Sequence, residues 1–147
     1  MKVLLQRVTQ ASVSIGEERV SRIGRGLVAL VGVAKGDTEK DARYLVEKTI
    51  NLRVFPDDEG KFNLSLLDVN GELLAVSQFT LLADTRKGRR PSFSQAALPS
   101  EAEDLFNSFV EMAKAAGLKV ATGRFQQHML VEIYNDGPVT ILLESKP

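Results

Sequence analysis

Residues 26–34, with the sequence GLVALVGVA, decide the fold class of this chain. They are almost continuously apolar, whereas a strand with one face in water alternates apolar and polar residues. A continuous apolar run is typical of a strand that is covered on both faces. We therefore predict that this segment forms a buried strand and is the first element of the core.

Other strand-like segments surround this one along the chain. Apolar residues at a spacing of two, or apolar runs bounded by turn residues, indicate strands. These patterns predict strands at residues 2–8, 11–15, 72–82, 129–134 and 139–144. Gly16 and residues 70–71 supply turns, and residues 135–138 lie where a hairpin turn is expected. The chain is thus predicted to open with a short β meander.

Two segments have helical periodicity instead. The first has Thr38 as its N-cap and continues to about Asn51, with apolar residues on one face. The second follows a proline, has Ser100 and Glu103 in the positions of a capping box, and ends at Gly117. With the strands, these helices predict an α/β fold that contains more strand than helix.

Length and composition limit the possible functions. The chain has 147 residues, which suits one domain over residues 1–147. Its 19 Lys and Arg balance 19 Asp and Glu, so nucleic-acid binding requires a local basic patch. No apolar run approaches the roughly 20 residues that span a bilayer, and no signal-peptide core follows Met1. We therefore expect no membrane association and a cytoplasmic location.

Few residues offer the usual catalytic chemistry. The chain has no cysteine and one histidine, which excludes disulfides, thiolate nucleophiles and multi-histidine metal cages. His128 is a candidate general base, but strand alternation favours a half-exposed structural residue. Residues 57–59 are acidic and lie between Pro56 and Gly60, which is typical of a solvated turn without a metal.

Two other stretches leave alternatives open. A basic run surrounds Gly88 and either grips phosphates or is a solvated loop; it comprises Arg86, Lys87, Arg89 and Arg90. Ser77, Gln78 and Thr80 interrupt an apolar segment, which indicates either an internal hydrogen-bond network or a site. At residues 137–138 the local pattern favours an ordinary turn, because only about 5–6% of X-Pro bonds are cis.

Three motifs together resemble the D-aminoacyl-tRNA deacylase family. They are SQFTL at residues 77–81, KGRRPSF at residues 87–93 and NDGPVT at residues 135–140. The opening residues 1–7 and the Phe55-Pro56 segment are similar as well, so the resemblance covers essentially the whole chain.

The resemblance implies a homodimer with a β-rich, barrel-like sheet and outer helices. It implies hydrolysis of the ester between a D-amino acid and the 3′-terminal adenosine of tRNA, with tRNA as partner and no cofactor or metal. Glycyl-tRNA mischarged on tRNA(Ala) is a further implied substrate, and L-aminoacyl substrates are rejected. Steric exclusion of L side chains would explain this selectivity without a pocket for each D side chain.

The resemblance also assigns roles to individual residues. One subunit's pocket carries the catalytic stretch Ser77, Gln78, Phe79 and Thr80. The partner supplies Gly137 and Pro138 as a cis peptide for chiral selection, with Arg7 and Met129 in supporting roles, and the basic run binds tRNA. The chain departs from the family pattern at residues 126–127, where two glutamines replace the pair of small residues that family members often carry. The pocket wall is therefore expected to differ.

The expected chemistry needs little from side chains. An aminoacyl ester is already activated and has a ribose hydroxyl beside it, so hydrolysis depends on positioning and on stabilising the oxyanion. We favour main-chain groups around Phe79 and Thr80 as oxyanion donors, with nucleophilic Thr80 as the alternative mechanism. Two other functions stay open: an RNA-binding module without catalysis, and a hydrolase of free D-amino-acid esters.

Overall fold

The computed structural model describes residues 1–146 and shows a mixed α/β fold. A nearly closed, barrel-like sheet packs against two α-helices. The strands are β1 (Lys2–Ile15), β2 (Glu18–Ile23), β3 (Gly26–Gly32), β4 (Phe55–Pro56), β5 (Phe62–Leu64), β6 (Glu72–Ser77), β7 (Lys119–Thr122) and β8 (Leu130–Glu144). The helices are α1 (Glu39–Asn51) and α2 (Pro99–Ala115), with a short 3₁₀ helix at Phe79–Leu82.

The long strand β1 organises the sheet. Its first half pairs antiparallel with β3, and its second half pairs antiparallel with β2. Strand β8 runs antiparallel along the other edge of β1 for nearly its whole length. Beyond β3, the order continues through β6 and β7, both in parallel pairing. The sheet is therefore mixed, with its parallel strands on one side of β1.

Strand β3 is buried on both faces, as residues 26–34 predict. Leu27 and Val31 belong to the cluster that packs under the helices, together with Leu45 of α1 and Phe109 of α2. Val28 belongs to a second cluster, formed with the distal half of β1 and with β2. Removing both apolar faces from water explains why the run is continuous, since each fully buried aliphatic side chain contributes about 1.5–3 kcal/mol.

Both predicted helices are present. The Asp41 carboxylate accepts a hydrogen bond from the N–H of Thr38 at 2.9 Å, so Thr38 is the N-cap of α1. Gly117 ends α2 with a φ of +98°. The capping box predicted at Ser100 and Glu103 is wrong, because α2 begins two residues earlier: Leu98, not Ser100, is its N-cap, and a proline occupies the first turn. Proline suits that position because the first N–H groups have no helical partner.

Three predicted strand boundaries are also wrong. Residues 2–8 and 11–15 form one strand with irregular register, so the meander consists of β1 and β2 joined at Gly16. The strand predicted to reach residue 82 ends at Ser77, where the 3₁₀ helix takes over. Residues 135–138 are not a hairpin turn, because β8 runs through them and keeps its pairing with β1 on both sides.

Candidate functional site

The chain turns sharply at the end of β6. The Gln78 N–H donates to the carbonyl of Val31 at 2.8 Å, and the 3₁₀ helix begins at the next residue. Gly32 lets this helix lie against β3, because a Cβ there would stand 2.7 Å from Leu82 Cδ2 and 3.1 Å from the Gln78 carbonyl oxygen. The close approach of the two segments therefore fixes where the SQFT stretch leaves the sheet.

The SQFT side chains, those of residues 77–80, lie at the C-terminal end of β6 and not in the core of the sheet. Ser77 and Gln78 are half-buried, whereas Phe79 is 56% exposed and Thr80 is exposed. The Gln78 amide donates to the Thr80 hydroxyl. A buried hydrogen-bond network does not explain these polar residues, so their position favours a site.

A cleft of about 580 Å³ opens beside this turn. Its walls combine aromatic rings with a few polar groups, including Ser77, Phe79, Phe93, Phe125, Gln126, Gln127, His128 and Met129. Such a lining is typical of a small-molecule site. Sequence reasoning identified Ser77, Phe79 and Met129, and expected the two glutamines in the pocket wall. It overlooked Phe93 and Phe125, although Phe93 ends one of the three motifs.

Met129 is held in the cleft wall by a close backbone approach. A Cβ on Gly123 would overlap its sulfur, so a side chain there would require Met129 to move. The sulfur also lies 3.4 Å from the N–H of Arg124, which donates to it. Neighbouring His128 is exposed and lies in the loop before β8, so the strand alternation used to interpret it as half-exposed does not extend to it.

The basic run forms an exposed loop next to the cleft. Asp84 and Ser92 close its base through two main-chain hydrogen bonds of 2.8 and 2.9 Å. Arg86 folds back onto the Asp84 carboxylate, with contacts of 2.7 and 2.9 Å, and holds the pKa of Asp84 at about 2. Within residues 1–146, no ion pair engages Lys87, Arg89 or Arg90. Arg86 thus shapes the loop, while the other three cations face solvent.

The Gly137-Pro138 peptide is cis and exposed, and it lies in the middle of β8. The side chain of Asn135 spans this segment: it accepts from the Val139 N–H at 2.8 Å and donates to the Thr140 hydroxyl at 3.0 Å. Gly137 has a φ of +140°, which L side chains rarely adopt. Asn135 is a functional candidate that the sequence interpretation included only as part of a motif.

The side chain of Arg7 binds the main chain of the same segment. Its Nε–H donates to the carbonyl of Asp136 at 2.9 Å, and Nη1 donates to the carbonyl of Val54 at 2.7 Å. The residue is only 8% exposed. A buried guanidinium needs such acceptors, since an unsatisfied buried donor costs about 1–3 kcal/mol.

Within one chain, the SQFT residues and the Gly137-Pro138 segment, which the expected site combines, lie apart. Ser77 pairs with Val31, and Val31 pairs with Val3 of β1, whereas the Gly-Pro segment is fastened to Arg7. Val3 and Arg7 are four positions apart on this strand, which corresponds to a distance of about 13 Å. Among the described residues, the cleft lining includes neither Gly137 nor Pro138.

Residues 1–146 contain no cluster of three or more His, Cys, Asp or Glu side chains that could hold a metal ion. None of their helices has the length and apolar character needed to cross a membrane.

The sequence matches a family model over almost its whole length. Residues 4–144 match the model described as D-Tyr-tRNA(Tyr) deacylase. The chain belongs to this deacylase family. Relatives named D-aminoacyl-tRNA deacylase include one from Dehalococcoides mccartyi, 60% identical over 146 residues, covering 99% of this chain and 95% of the relative. Another, from Thermotoga petrophila, is 52% identical over 145 residues and covers 99% and 97%.

Solved structures share the deacylase fold seen here. One described as c-Myc DNA Unwinding Element Binding Protein has a TM-score of 0.94 and 45% identity, covering 100% of both chains. A probable eukaryotic D-amino acid tRNA deacylase has a TM-score of 0.82 at 20% identity, covering 97% of this chain and 98% of that one. The second similarity concerns the fold alone.

Proposed function

We propose that this protein hydrolyses the ester bond of D-aminoacyl-tRNA and releases a free D-amino acid and tRNA. One observation supports this above all: the SQFT turn opens into an aromatic cleft that borders an exposed basic loop. A cleft of this size suits an aminoacyl group with its adenosine, and the basic loop suits the phosphates that follow. The names of the relatives point to the same substrate.

The main chain of the SQFT turn supplies the proposed oxyanion donors. The first N–H groups of a helix have no partner within it, and here they belong to Phe79 and Thr80. Neither donates to another segment among residues 1–146. Water adds to the ester carbonyl, the carbonyl oxygen gains charge beside these donors, and the ribose oxygen leaves with a proton. The neighbouring ribose hydroxyl assists this proton transfer.

A nucleophilic role for Thr80 has less support. A hydroxyl needs a base to become a good nucleophile, and its side-chain hydrogen-bond partner is the amide of Gln78. An amide does not accept a proton at neutral pH in either orientation of its oxygen and nitrogen. The geometry therefore favours the main-chain mechanism.

We propose further that the active form is a homodimer. Gly137 and Pro138 are exposed and are held at Arg7, about 13 Å along β1 from Val3, which is in register with Ser77 through Val31; another subunit's cleft is therefore the proposed place for them. Large apolar side chains of β8 are also exposed in the single chain, namely Leu130, Tyr134 and Leu142. Association would bury them.

The partner's Gly-Pro main chain is proposed to select chirality by exclusion. With the substrate held by its amine and ester carbonyl, this segment blocks the direction that an L side chain must take. D side chains point elsewhere, and glycine has none. Glycyl-tRNA, including that mischarged on tRNA(Ala), is therefore a proposed substrate.

In the basic loop, Lys87, Arg89 and Arg90 are proposed to contact tRNA phosphates. Arg86 has a smaller part in this, because Asp84 already neutralises it.

Deacylation assays separate the candidate functions. Catalytic amounts of protein should release D-tyrosine from D-tyrosyl-tRNA and leave L-tyrosyl-tRNA intact. Release from neither substrate, with retained tRNA binding, would indicate an RNA-binding module instead. Equal rates on free D-tyrosine ethyl ester would indicate a hydrolase that does not need tRNA.

A further inference from the structure

Phe62 lies against the guanidinium of Arg7 although it is 55% exposed. The guanidinium carbon stands 5.4 Å from the ring centroid. Phe62 belongs to β5, which pairs with β4 through Pro56. Val54, directly before β4, provides the carbonyl that accepts from Arg7 Nη1 at 2.7 Å. The small β4–β5 sheet and the residue that precedes it therefore contact Arg7 twice, through the carbonyl of Val54 and the aromatic face of Phe62.

The other side of Arg7 contacts the Gly-Pro segment. Its Nε–H donates to the Asp136 carbonyl at 2.9 Å, and a Cβ on Gly137 would stand 3.1 Å from Nη2. A guanidinium is planar, and its five N–H donors have fixed directions. The orientation that Val54 and Phe62 give to Arg7 thus determines where residues 136–137 are held.

We infer that Phe62 is a positioning residue for chiral selection. It acts through Arg7 and keeps the Gly137-Pro138 main chain in the place from which it excludes L side chains. This inference rests on the proposed function of that main chain. Phe62 itself does not contact the substrate.

The contribution of the ring has two physical sources. The face of an aromatic ring attracts a cation, and covering the guanidinium keeps water from its hydrogen bonds. Cation–π contacts of this kind change equilibria by roughly twofold to thirtyfold, depending on how far they are desolvated. Loss of the ring lets Arg7 and residues 136–137 move, which should affect selectivity more than binding of tRNA.

The test compares Phe62→Ala, Phe62→Tyr and a matched control, Tyr44→Ala. Tyr44 is 45% exposed and lies 5.8 Å from the Lys48 ammonium, so it carries the same type of contact on α1. Rates on D-alanyl- and L-alanyl-tRNA give the D/L ratio, with kcat and KM separated. NMR of protein labelled with ¹⁵N-arginine gives the hydrogen exchange rate of the Arg7 Nε–H.

Phe62→Ala should lower the D/L ratio and the kcat for D-alanyl-tRNA by roughly twofold to thirtyfold, leave KM for D-alanyl-tRNA within about twofold and accelerate Nε–H exchange. Phe62→Tyr should restore all three, and Tyr44→Ala should match the parent protein.

A folded Phe62→Ala with an unchanged D/L ratio and an unchanged exchange rate would overturn the inference. If that variant does not fold, Phe62→Leu is judged by the same criteria. A parent protein that hydrolyses both substrates equally would contradict the proposed function, while Nε–H exchange would still decide the role of Phe62 at Arg7.

Discussion

The ring of Phe79 meets the ring of Phe93 edge-on, with 5.0 Å between centroids and 66° between planes. Phe79 belongs to the SQFT turn, and Phe93 follows the last residue of the basic loop. Edge-to-face pairs contribute about 0.5–1.5 kcal/mol beyond the area they bury. This contact joins the segment proposed to bind phosphates to the segment proposed to perform hydrolysis. The positions of the bound tRNA and of its ester therefore both depend on it.

The exposed arginines of the loop should contribute a salt-dependent part of tRNA affinity. Replacing Arg89 and Arg90 together with glutamine should weaken binding and reduce the log–log salt slope by about 1.5, since each phosphate contact contributes roughly 0.7–0.9. Lys40 and Arg43 on α1 are exposed cations, and their double replacement with glutamine is the control. Filter binding between 50 and 200 mM salt measures both slopes. An unchanged slope for the loop variant would show that these charges are only solvated, whereas the D/L preference should survive in either variant.

Arg86 should have a structural effect that depends on pH. Its hydrogen bonds hold the pKa of Asp84 at about 2, below the ordinary value of 3.8. Because the carboxylate is favoured in the folded loop, the contact stabilises the loop above about pH 4 and is lost as the pH falls through about 2. Arg86→Gln should therefore raise the pKa of Asp84 toward its ordinary value, as measured by ¹³C NMR titration. Arg90→Gln is the control, and an equal rise in both variants would mean that general loop charge, not this ion pair, causes the shift.

Local patterns predicted the elements whose residues interact over short sequence distances. The burial of β3 on both faces and the apolar stripes of α1 and α2 follow from hydrophobic patterns within short stretches of sequence. Strand β8 was not predicted as one strand, because Asn135 and Gly137 are residue types typical of turns. Pairing with β1 before and after these residues nevertheless keeps the segment in the strand. Contacts such as that of Arg7 with Val54 join residues 47 positions apart in sequence and leave no local pattern. The resemblance named candidate site residues, but not Val54 and Phe62, which contact Arg7.

The main-chain mechanism makes a clear prediction for Thr80. Thr80→Ala keeps both proposed N–H donors, so it should retain deacylase activity within about tenfold of the parent, a loss no larger than a side-chain hydrogen bond of 0.5–1.5 kcal/mol explains. Thr80→Ser, which keeps the hydroxyl, is the matched comparison. Single-turnover kinetics measure the rate, and mass spectrometry searches for an acyl-enzyme. Complete loss in folded Thr80→Ala, with activity in Thr80→Ser or a trapped acyl group, would establish the nucleophile. His128→Ala should have a smaller effect than either.

Gly137 should not tolerate a side chain. A Cβ there would stand 2.8 Å from Val139 Cγ2 and 3.1 Å from Arg7 Nη2, at a φ of +140°. Gly137→Ala should therefore displace the segment and lower kcat on D-alanyl-tRNA by at least tenfold. Gly36→Ala is the control, because its φ is +83° but nothing lies within 4 Å of the added Cβ, so it adds backbone strain without a clash. If both variants lose activity in proportion to their loss of melting temperature, Gly137 contributes only to stability.

Selectivity by exclusion can be separated from selectivity by recognition with three substrates of nearly equal size. D-Alanyl-, glycyl- and L-alanyl-tRNA differ only in the presence and direction of one methyl group. If the partner's Gly137-Pro138 main chain blocks the L direction, glycyl-tRNA should be cleaved like the D substrate and L-alanyl-tRNA should resist. Pocket affinity for one methyl group discriminates by only about 10–200-fold, so a larger ratio between glycyl and L-alanyl substrates requires a steric block. Rates at equal concentrations on the same tRNA provide the comparison. A glycyl substrate as inert as the L-alanyl one would show that a D side chain is positively required, because in that case the absence of a clash would not suffice for hydrolysis.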